Sequence, residues 1–263
     1  MGPLGRLSRA AADRALALAP HVSDLRARAV DMPPAESFIG ALRRTEVAVI
    51  AEVKRRSPSK GTINAAIDAA TQARAYERGG AAALSILTEP AEFGGALGDL
   101  GEASRATSIP TLKKDFHVHP VQVFEAKAAG ASALLLIARA LPPGQLAELA
   151  ELAADVRLEV LIEVRSESEL EDALAVDGAV IGVNSRNLET LVIEPEVAAR
   201  VLAAIPPRRI AIAESGIVQR SDVERVAAAG ADAVLVGSSL SASADPSAAV
   251  AALTGVARVR RGG

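Results

Sequence analysis

Short unbroken runs of apolar residues recur along the chain, at 47-53, 83-87, 109-113, 133-137, 159-163, 179-183, 209-213 and 233-237. A run without polar alternation predicts a strand covered on both faces, the arrangement of parallel sheets flanked by helices. Four of the runs share a lead-in: "GGAAALSIL" from Gly79, "AGASALLLI" from Ala129, "DGAVIGV" from Asp177 and "AGADAVLVG" from Ala229. In each, a helix-like segment stops at Gly or Asp-Gly and the chain turns into a strand, so one kind of helix-to-strand joint is used repeatedly.

The segments between the runs carry helix start signals. Ser166 with Glu169, and Ser221 with Glu224, have the spacing of a capping box. Pro120 suits the first turn of a helix running to Gly130. Strands and helices alternating in this way predict a (β/α)8 TIM barrel, a fold of ~250 residues; a doubly wound open sheet is the alternative. Residues 1-45 precede the first strand, with helical stretches at 4-18 and 35-44 and a break at "DMPP", 31-34. They predict an N-terminal helical extension packed on a barrel of residues 46-255. The tail 256-263, ending "RVRRGG", reads as a solvated, frayed end.

Composition narrows the function. With 263 residues, half of them hydrophobic, the chain can bury a full core. A net charge of -3 and a pI near 5.8 leave no electrostatic footprint for nucleic acid. The absence of cysteine excludes disulfides, thiolate metal sites and a cysteine nucleophile. The first twenty residues carry Arg6, Arg9, Asp13 and Arg14 with no apolar stretch of a leader, and no run has the ~20 residues of a membrane span, so the cytoplasm is the expected location.

Barrels place their chemistry at the C-terminal ends of the strands. Glu52 and Lys54 share parity with Ile50 and so point together into the mouth if Ile50 is interior. Lys113 and Lys114 must face opposite ways. Glu163 ends the fifth run, "NSRN" with Asn184 and Arg186 follows the sixth, "ESG" from Glu214 to Gly216 follows the seventh, and "GSS" from Gly237 to Ser239 follows the eighth. Lysine stands only at 54, 60, 113, 114 and 127, among 29 basic residues. A chain that otherwise uses arginine keeps most of its lysines beside strand ends, and lysine is the base whose proton a site can mobilise, which points to proton transfer. The turns after strands seven and eight suit a phosphate. His117 and His119 lack a third partner nearby, and no metal site is predicted from them.

In order along the chain, "IAEVKRRSPSKG", "LSILTEP", "LKKDF", "LLLIARAL", "LIEV", "IGVNSRNL", "AESGI" and "DAVLVGSSL" resemble the indole-3-glycerol-phosphate synthase family over roughly residues 35-240. The resemblance implies a metal-free and cofactor-free carboxy-lyase of tryptophan biosynthesis. Such an enzyme converts 1-(2-carboxyphenylamino)-1-deoxyribulose 5-phosphate to indole-3-glycerol phosphate, carbon dioxide and water. It also implies roles by motif. Lys114 is the general acid for ring closure and lies near the anthranilate carboxylate. Glu163 handles protons during dehydration, and Lys54 holds substrate and phosphate and competes as the acid of that step. Glu52 and Asn184 orient the lysines and the substrate hydroxyls. Phosphate is expected on Lys54 with Ser215, Gly216, Gly237 and Ser238. The substrate's ring is expected among Pro58, Phe93, Phe116, Leu135, Leu188 and Leu235, with Ser57 and Arg186 at the polar edge, while Arg55 faces away. Expected partners are a small phosphorylated substrate and, transiently, other tryptophan-pathway enzymes; neither nucleic acid nor membrane is expected.

The chain departs from the family's usual pattern at Glu92 and Ala96, where an aromatic and a serine are common, and at His117 and His119, more often aliphatic and acidic. "GSSLSAS" also lacks the frequent methionine after the leucine. Two other readings are a phosphoribosylanthranilate isomerase-like barrel, whose usual cysteine base is missing here, and a non-catalytic barrel that binds a phosphorylated metabolite.

Overall fold

The eight apolar runs become eight parallel strands, and the computed structural model, which describes residues 2–187 and 189–261, closes them into one barrel. The strands are β1 (Ala48–Val53), β2 (Ala83–Leu87), β3 (Thr111–Lys114), β4 (Ala133–Ile137), β5 (Glu159–Val164), β6 (Val180–Asn184), β7 (Ala211–Glu214) and β8 (Ala233–Val236). Each pairs with its chain neighbours, and β1 joins both β2 and β8. The closed parallel ladder excludes the doubly wound alternative. The third strand starts two residues later than its apolar run, because Pro110 has no N–H to give the ladder.

Alternation along these strands divides the buried apolar residues into two clusters. Ile50, Leu112, Leu135, Leu161, Ile212 and Leu235 fill the barrel interior. Val49, Leu84, Leu134, Ile162, Ile181 and Val234, of opposite parity, meet the surrounding helices. Those helices are α4 (Ala69–Arg78), α5 (Leu97–Ala106), α6 (Pro120–Ala128), α7 (Pro143–Asp155), α8 (Glu167–Leu174), α9 (Pro195–Ala204) and α10 (Arg220–Ala228), followed by short α11 (Ser238–Ser241) and α12 (Pro246–Ala251).

Before the barrel come α1 (Pro3–Leu18), α2 (Val22–Asp31) and α3 (Phe38–Leu42). The extension runs past three levels of the barrel. Pro3, Leu4 and Leu7 of α1 reach the mouth, α2 lies along α6 with Arg26 over the Phe124 ring, and α3 sends Phe38 and Leu42 into the interior cluster from below. Glu159, first residue of β5, holds α3 by accepting from Ser37 Oγ and Ile39 N, both at 2.7 Å. Sequence reading found no helix at 22-31. Only Leu25 and Ala29 of α2 are buried, a stripe too thin to register as a periodic pattern.

Pro120 is the first residue of α6 and Ser166 caps α8, accepting from Glu169 N at 3.3 Å. The N-cap of α10 is Gln219, two residues ahead of the expected Ser221. Its capping carboxylate is Asp222, not Glu224, and it accepts from Val218 N and Gln219 N. An acid one turn into a helix satisfies the same exposed N–H groups wherever the first residue falls.

The expected frayed tail is anchored instead. Arg258 and Arg261 both bind Asp232, which is 3% exposed, and Arg258 Nη1 also donates to Arg44 O at 2.9 Å. Asp232 further accepts from Ala211 N at 2.8 Å. Two guanidinium groups on one buried carboxylate give the basic sequence a fixed place that its composition did not announce. Asp232→Ala leaves both arginines without their anion, and urea denaturation should show a loss of about 3 kcal/mol or more in unfolding free energy; an unchanged midpoint would refute the latch.

Candidate active site

Five charged side chains converge at the C-terminal mouth. Glu52 and Lys54 come from the end of β1, Lys114 from β3, Glu163 from β5 and Glu214 from β7, all of inward parity. Lys54 Nζ lies 2.8 Å from Glu52 Oε1. Lys114 Nζ lies 3.1 Å from Glu163 Oε2 and 3.4 Å from Glu214 Oε2. Ser85, inward on β2, donates to Glu52 Oε2 at 3.2 Å. Lys113 turns outward, as alternation requires, and pairs with Glu125 of α6. Arg55 also faces away from the mouth, forking onto both oxygens of Asp99 at 2.5 and 2.8 Å.

Burial disfavours the Lys114 ammonium, but Glu163, Glu214 and Glu52 outweigh it and hold the pKa above the ordinary lysine value. Glu214 moves up, to about 8, chiefly through burial; Lys114 opposes the shift, and Glu163 and Glu52 reinforce it. Three carboxylates beside two ammonium groups carry one negative charge too many, and a proton on Glu214 removes it.

Two glycines make room for this cluster. A Cβ on Gly182 of β6 would overlap Glu214 Oε1, and one on Gly237 would overlap Glu52 Oε1 and crowd Lys54 Nζ. Ser215 and Gly216, just after β7, both have positive φ, +66° and +73°, and Ser185 Oγ braces the turn by donating to Glu214 O and Ser215 O. A serine held in that region is a strained position that the surrounding contacts must support.

The charged groups open onto one pocket of about 210 Å³, more apolar than polar in its lining. Lys54, Lys114, Glu52, Glu163 and Asn184 line it together with Ser57, Pro58 and Arg186. So do Phe93, Phe116, Leu135 and Leu235, and Ser215, Gly216, Gly237 and Ser238. Leu188, expected beside the ring, lies outside the described residues. Phe93 and Phe116 stand with ring centroids 6.5 Å apart and tilted by 40°. Asn184 Oδ1 accepts from Arg186 N at 2.9 Å, and Arg186 Nη1 donates to Leu191 O at 3.0 Å. Burial lowers the Arg186 pKa. Lys60 also borders the pocket, on an exposed loop.

Glu214 was named at the end of the seventh run but given no role of its own, because "ESG" was read as a phosphate-binding turn; its parity with interior Ile212 was the available signal. Pro3, Leu4 and Leu7 were missed, and local sequence holds no signal for a contact made across the whole fold. Arg14 of the same helix binds Asp115 at 2.6 Å, and Asp115 accepts from Thr88 Oγ1 and Phe116 N at 2.7 and 2.8 Å. Neighbouring Glu89, fully buried, gathers the N–H groups of Ala91, Glu92 and Phe93. These anions set the loops that carry both phenylalanines.

The unusual positions have local explanations. Glu92 takes part through its backbone, and at Ala96, which has no capping side chain, Asp99 accepts from Ala96 N at 3.0 Å. His119 caps α6, its Nδ1 accepting from Val121 N at 3.2 Å. His117 is buried with Nδ1 donating to Leu135 O at 2.7 Å.

The family profile described as indole-3-glycerol phosphate synthase matches residues 8–253. Proteins named indole-3-glycerol phosphate synthase from Nocardioides sp. and Mycolicibacterium gilvum are each 46% identical to this chain, over 89% of it and 90% of the first protein, and over 88% of it and 85% of the second. Among solved structures, 3-hexulose-6-phosphate synthase from Salmonella typhimurium superposes with a TM-score of 0.64 over 79% of this chain and 96% of its own, at 11% identity. Thiamine phosphate pyrophosphorylase from Pyrococcus furiosus gives 0.59 over 81% and 95%, at 18% identity. At such identities these two speak for the barrel alone.

Burial pushes the His117 imidazole down to about 3, with Lys113 adding to the effect. In the unfolded chain it protonates near 6.5, so between pH 6.5 and 3 the unfolded state binds the extra proton and stability falls as pH falls. His117→Gln keeps a donor for Leu135 O and cannot titrate. Urea unfolding from pH 7 to 4.5 should show a shallower loss for the variant, by up to ~1.4 kcal/mol per pH unit; parallel curves would contradict a buried neutral imidazole.

Proposed function

We infer how the site works from one premise: the chain belongs to the indole-3-glycerol phosphate synthase family. It is a carboxy-lyase of tryptophan biosynthesis that closes the ring of 1-(2-carboxyphenylamino)-1-deoxyribulose 5-phosphate. Individual side chains divide that work according to where the barrel places them.

The observation that carries the assignment is Lys114, with two carboxylates against its ammonium, in a pocket it shares with Phe93, Phe116 and Leu135. The substrate's ring enters among Phe93, Phe116, Leu135 and Pro58, with Leu4 and Leu7 closing the side that the extension covers. Its phosphate lies at Lys54 and the turns Ser215-Gly216 and Gly237-Ser238, whose backbone N–H groups and lack of bulk favour a dianion. Arg186 has no carboxylate partner among the described residues and is free to meet the anthranilate carboxylate.

Ring closure joins the aromatic carbon bearing that carboxylate to the ketone carbon. Lys114 delivers a proton to the ketone oxygen as charge develops there. A tightly held proton is a poor one to give away, and the proton on Glu214 lessens the hold by neutralising one of the carboxylates around Lys114. The bond to the carboxylate then breaks, carbon dioxide leaves, and its electrons restore the ring. In the last step the new hydroxyl leaves as water on taking a proton, and the adjacent CH2 gives a proton to Glu163. Lys54 competes with Lys114 as the acid of that step, while Glu52 and Asn184 orient the lysines and the substrate hydroxyls.

Residues 46-255 form the catalytic barrel in this reading, 1-45 its extension and 256-263 its tail. A cytoplasmic location and transient contact with other tryptophan-pathway enzymes complete it.

The chain contains no tryptophan, so indole fluorescence reports the product against a nearly dark protein. Lys114→Gln should lower kcat by roughly 10³-fold, within the range of general acid catalysis, while its circular dichroism stays that of the parent. Turnover unchanged in that variant would return the site to a binding role.

A further inference from the structure

Backbone pairing leaves a gap at the end of β1. The ladder between β1 and β8 stops at Ala51 opposite Val236, because the chain turns at Gly237 into α11. Even-numbered residues of β1 present their backbone groups toward β8: Ala48 N donates to Asp232 O, whereas Val49 O accepts from Ala82 N on the β2 side. Glu52 O and Lys54 N therefore face the side where β8 has ended.

Ser241, the last residue of α11, stands in that gap. Its Oγ donates to Glu52 O at 3.0 Å, and Lys54 N donates to Oγ at 3.2 Å. In a parallel ladder the residue opposite Val53 would accept from Lys54 N and donate to Glu52 O. One hydroxyl takes both parts. Tyr76 Oη donates to the same carbonyl at 3.2 Å and lies 3.3 Å from Ser241 Oγ, and both side chains are buried. Ser241 N donates to Gly237 O at 2.9 Å, so the same residue also fixes the turn beneath the Glu52–Lys54 pair.

We propose that Ser241 is a positioning residue, which sets the separation between Lys54 and the Gly237-Ser238 turn and thereby the affinity for the substrate's phosphate. It touches no substrate atom. The proposal rests on the reading that Lys54 and this turn hold the phosphate.

Competitive inhibition by inorganic phosphate tests both levels. Lys54→Gln should raise the phosphate Ki; if it does not, the reading of Lys54 fails. Given that rise, Ser241→Ala should raise KM and phosphate Ki together, roughly threefold to tenfold, the effect of one hydrogen bond of ordinary strength, with kcat changed less than KM. Ser241→Cys, nearly isosteric but too large at sulfur for both bonds, should do the same, and Ser241→Thr, which keeps the hydroxyl, should restore both constants. A purely structural serine would lower Tm and leave KM and Ki where they were. That outcome in either folded variant, with Lys54→Gln impaired, would overturn the inference alone.

Discussion

Charge balance among buried side chains governs this structure. Glu52, Glu163 and Glu214 are 4%, 4% and 3% exposed, and two lysine ammonium groups stand among them. An unpaired carboxylate in such a place costs several kcal/mol, so each acid must have a cation or a proton. Glu52 has Lys54, Glu163 has Lys114, and Glu214, left with a share of Lys114, takes the proton. The same arithmetic makes the site responsive to ligand. In the proposed reading a substrate that brings a carboxylate and a phosphate adds negative charge beside these pairs, and Lys54, Lys114 and Arg186 are the cations of the pocket that can meet it.

Balance of this kind requires exact spacing, and most of the spacing is set by residues that never enter the mouth. Gly182 and Gly237 yield the volume that Glu214 and the Glu52–Lys54 pair occupy. Arg55 ties the loop after β1 to Asp99, and Ser241 completes the hydrogen bonding of the strand that carries Glu52 and Lys54. Arg14 reaches from the extension to Asp115, the residue next to Lys114. The extension is thus part of the wall of the site at one end and of the barrel floor at the other, where Phe38 and Leu42 fill the interior.

Much of this was legible in the sequence, for a definite reason. Strands buried on both faces leave unbroken apolar runs, and strand parity then assigns Glu52, Lys54, Lys114 and Glu163 to one side without any tertiary information. The helix α2 was illegible because its buried stripe is Leu25 and Ala29 alone. The tail misled because charge composition describes a solvated end equally well; Asp232, its anchor, stands in a different part of the chain. Glu214 was within reach, since it follows Ile212 by two, but a glutamate beside Ser-Gly reads as a turn unless the alternation is carried to the strand's last residue.

The division of labour between lysine and arginine follows from the same geometry. Arg55, Arg209 and Arg261 each divide their nitrogens among several fixed acceptors, carbonyls included, a task suited to a rigid planar fork. Lys114 instead presents one compact charge to Glu163 and Glu214 and borders the pocket. Composition alone could not separate the two uses of lysine. Lys113 is as close to a strand end as Lys114, yet it faces outward and serves as an ion pair with Glu125. What separates the neighbours is a single step in strand parity, so which lysine faces the pocket is written in alternation and only then in residue type.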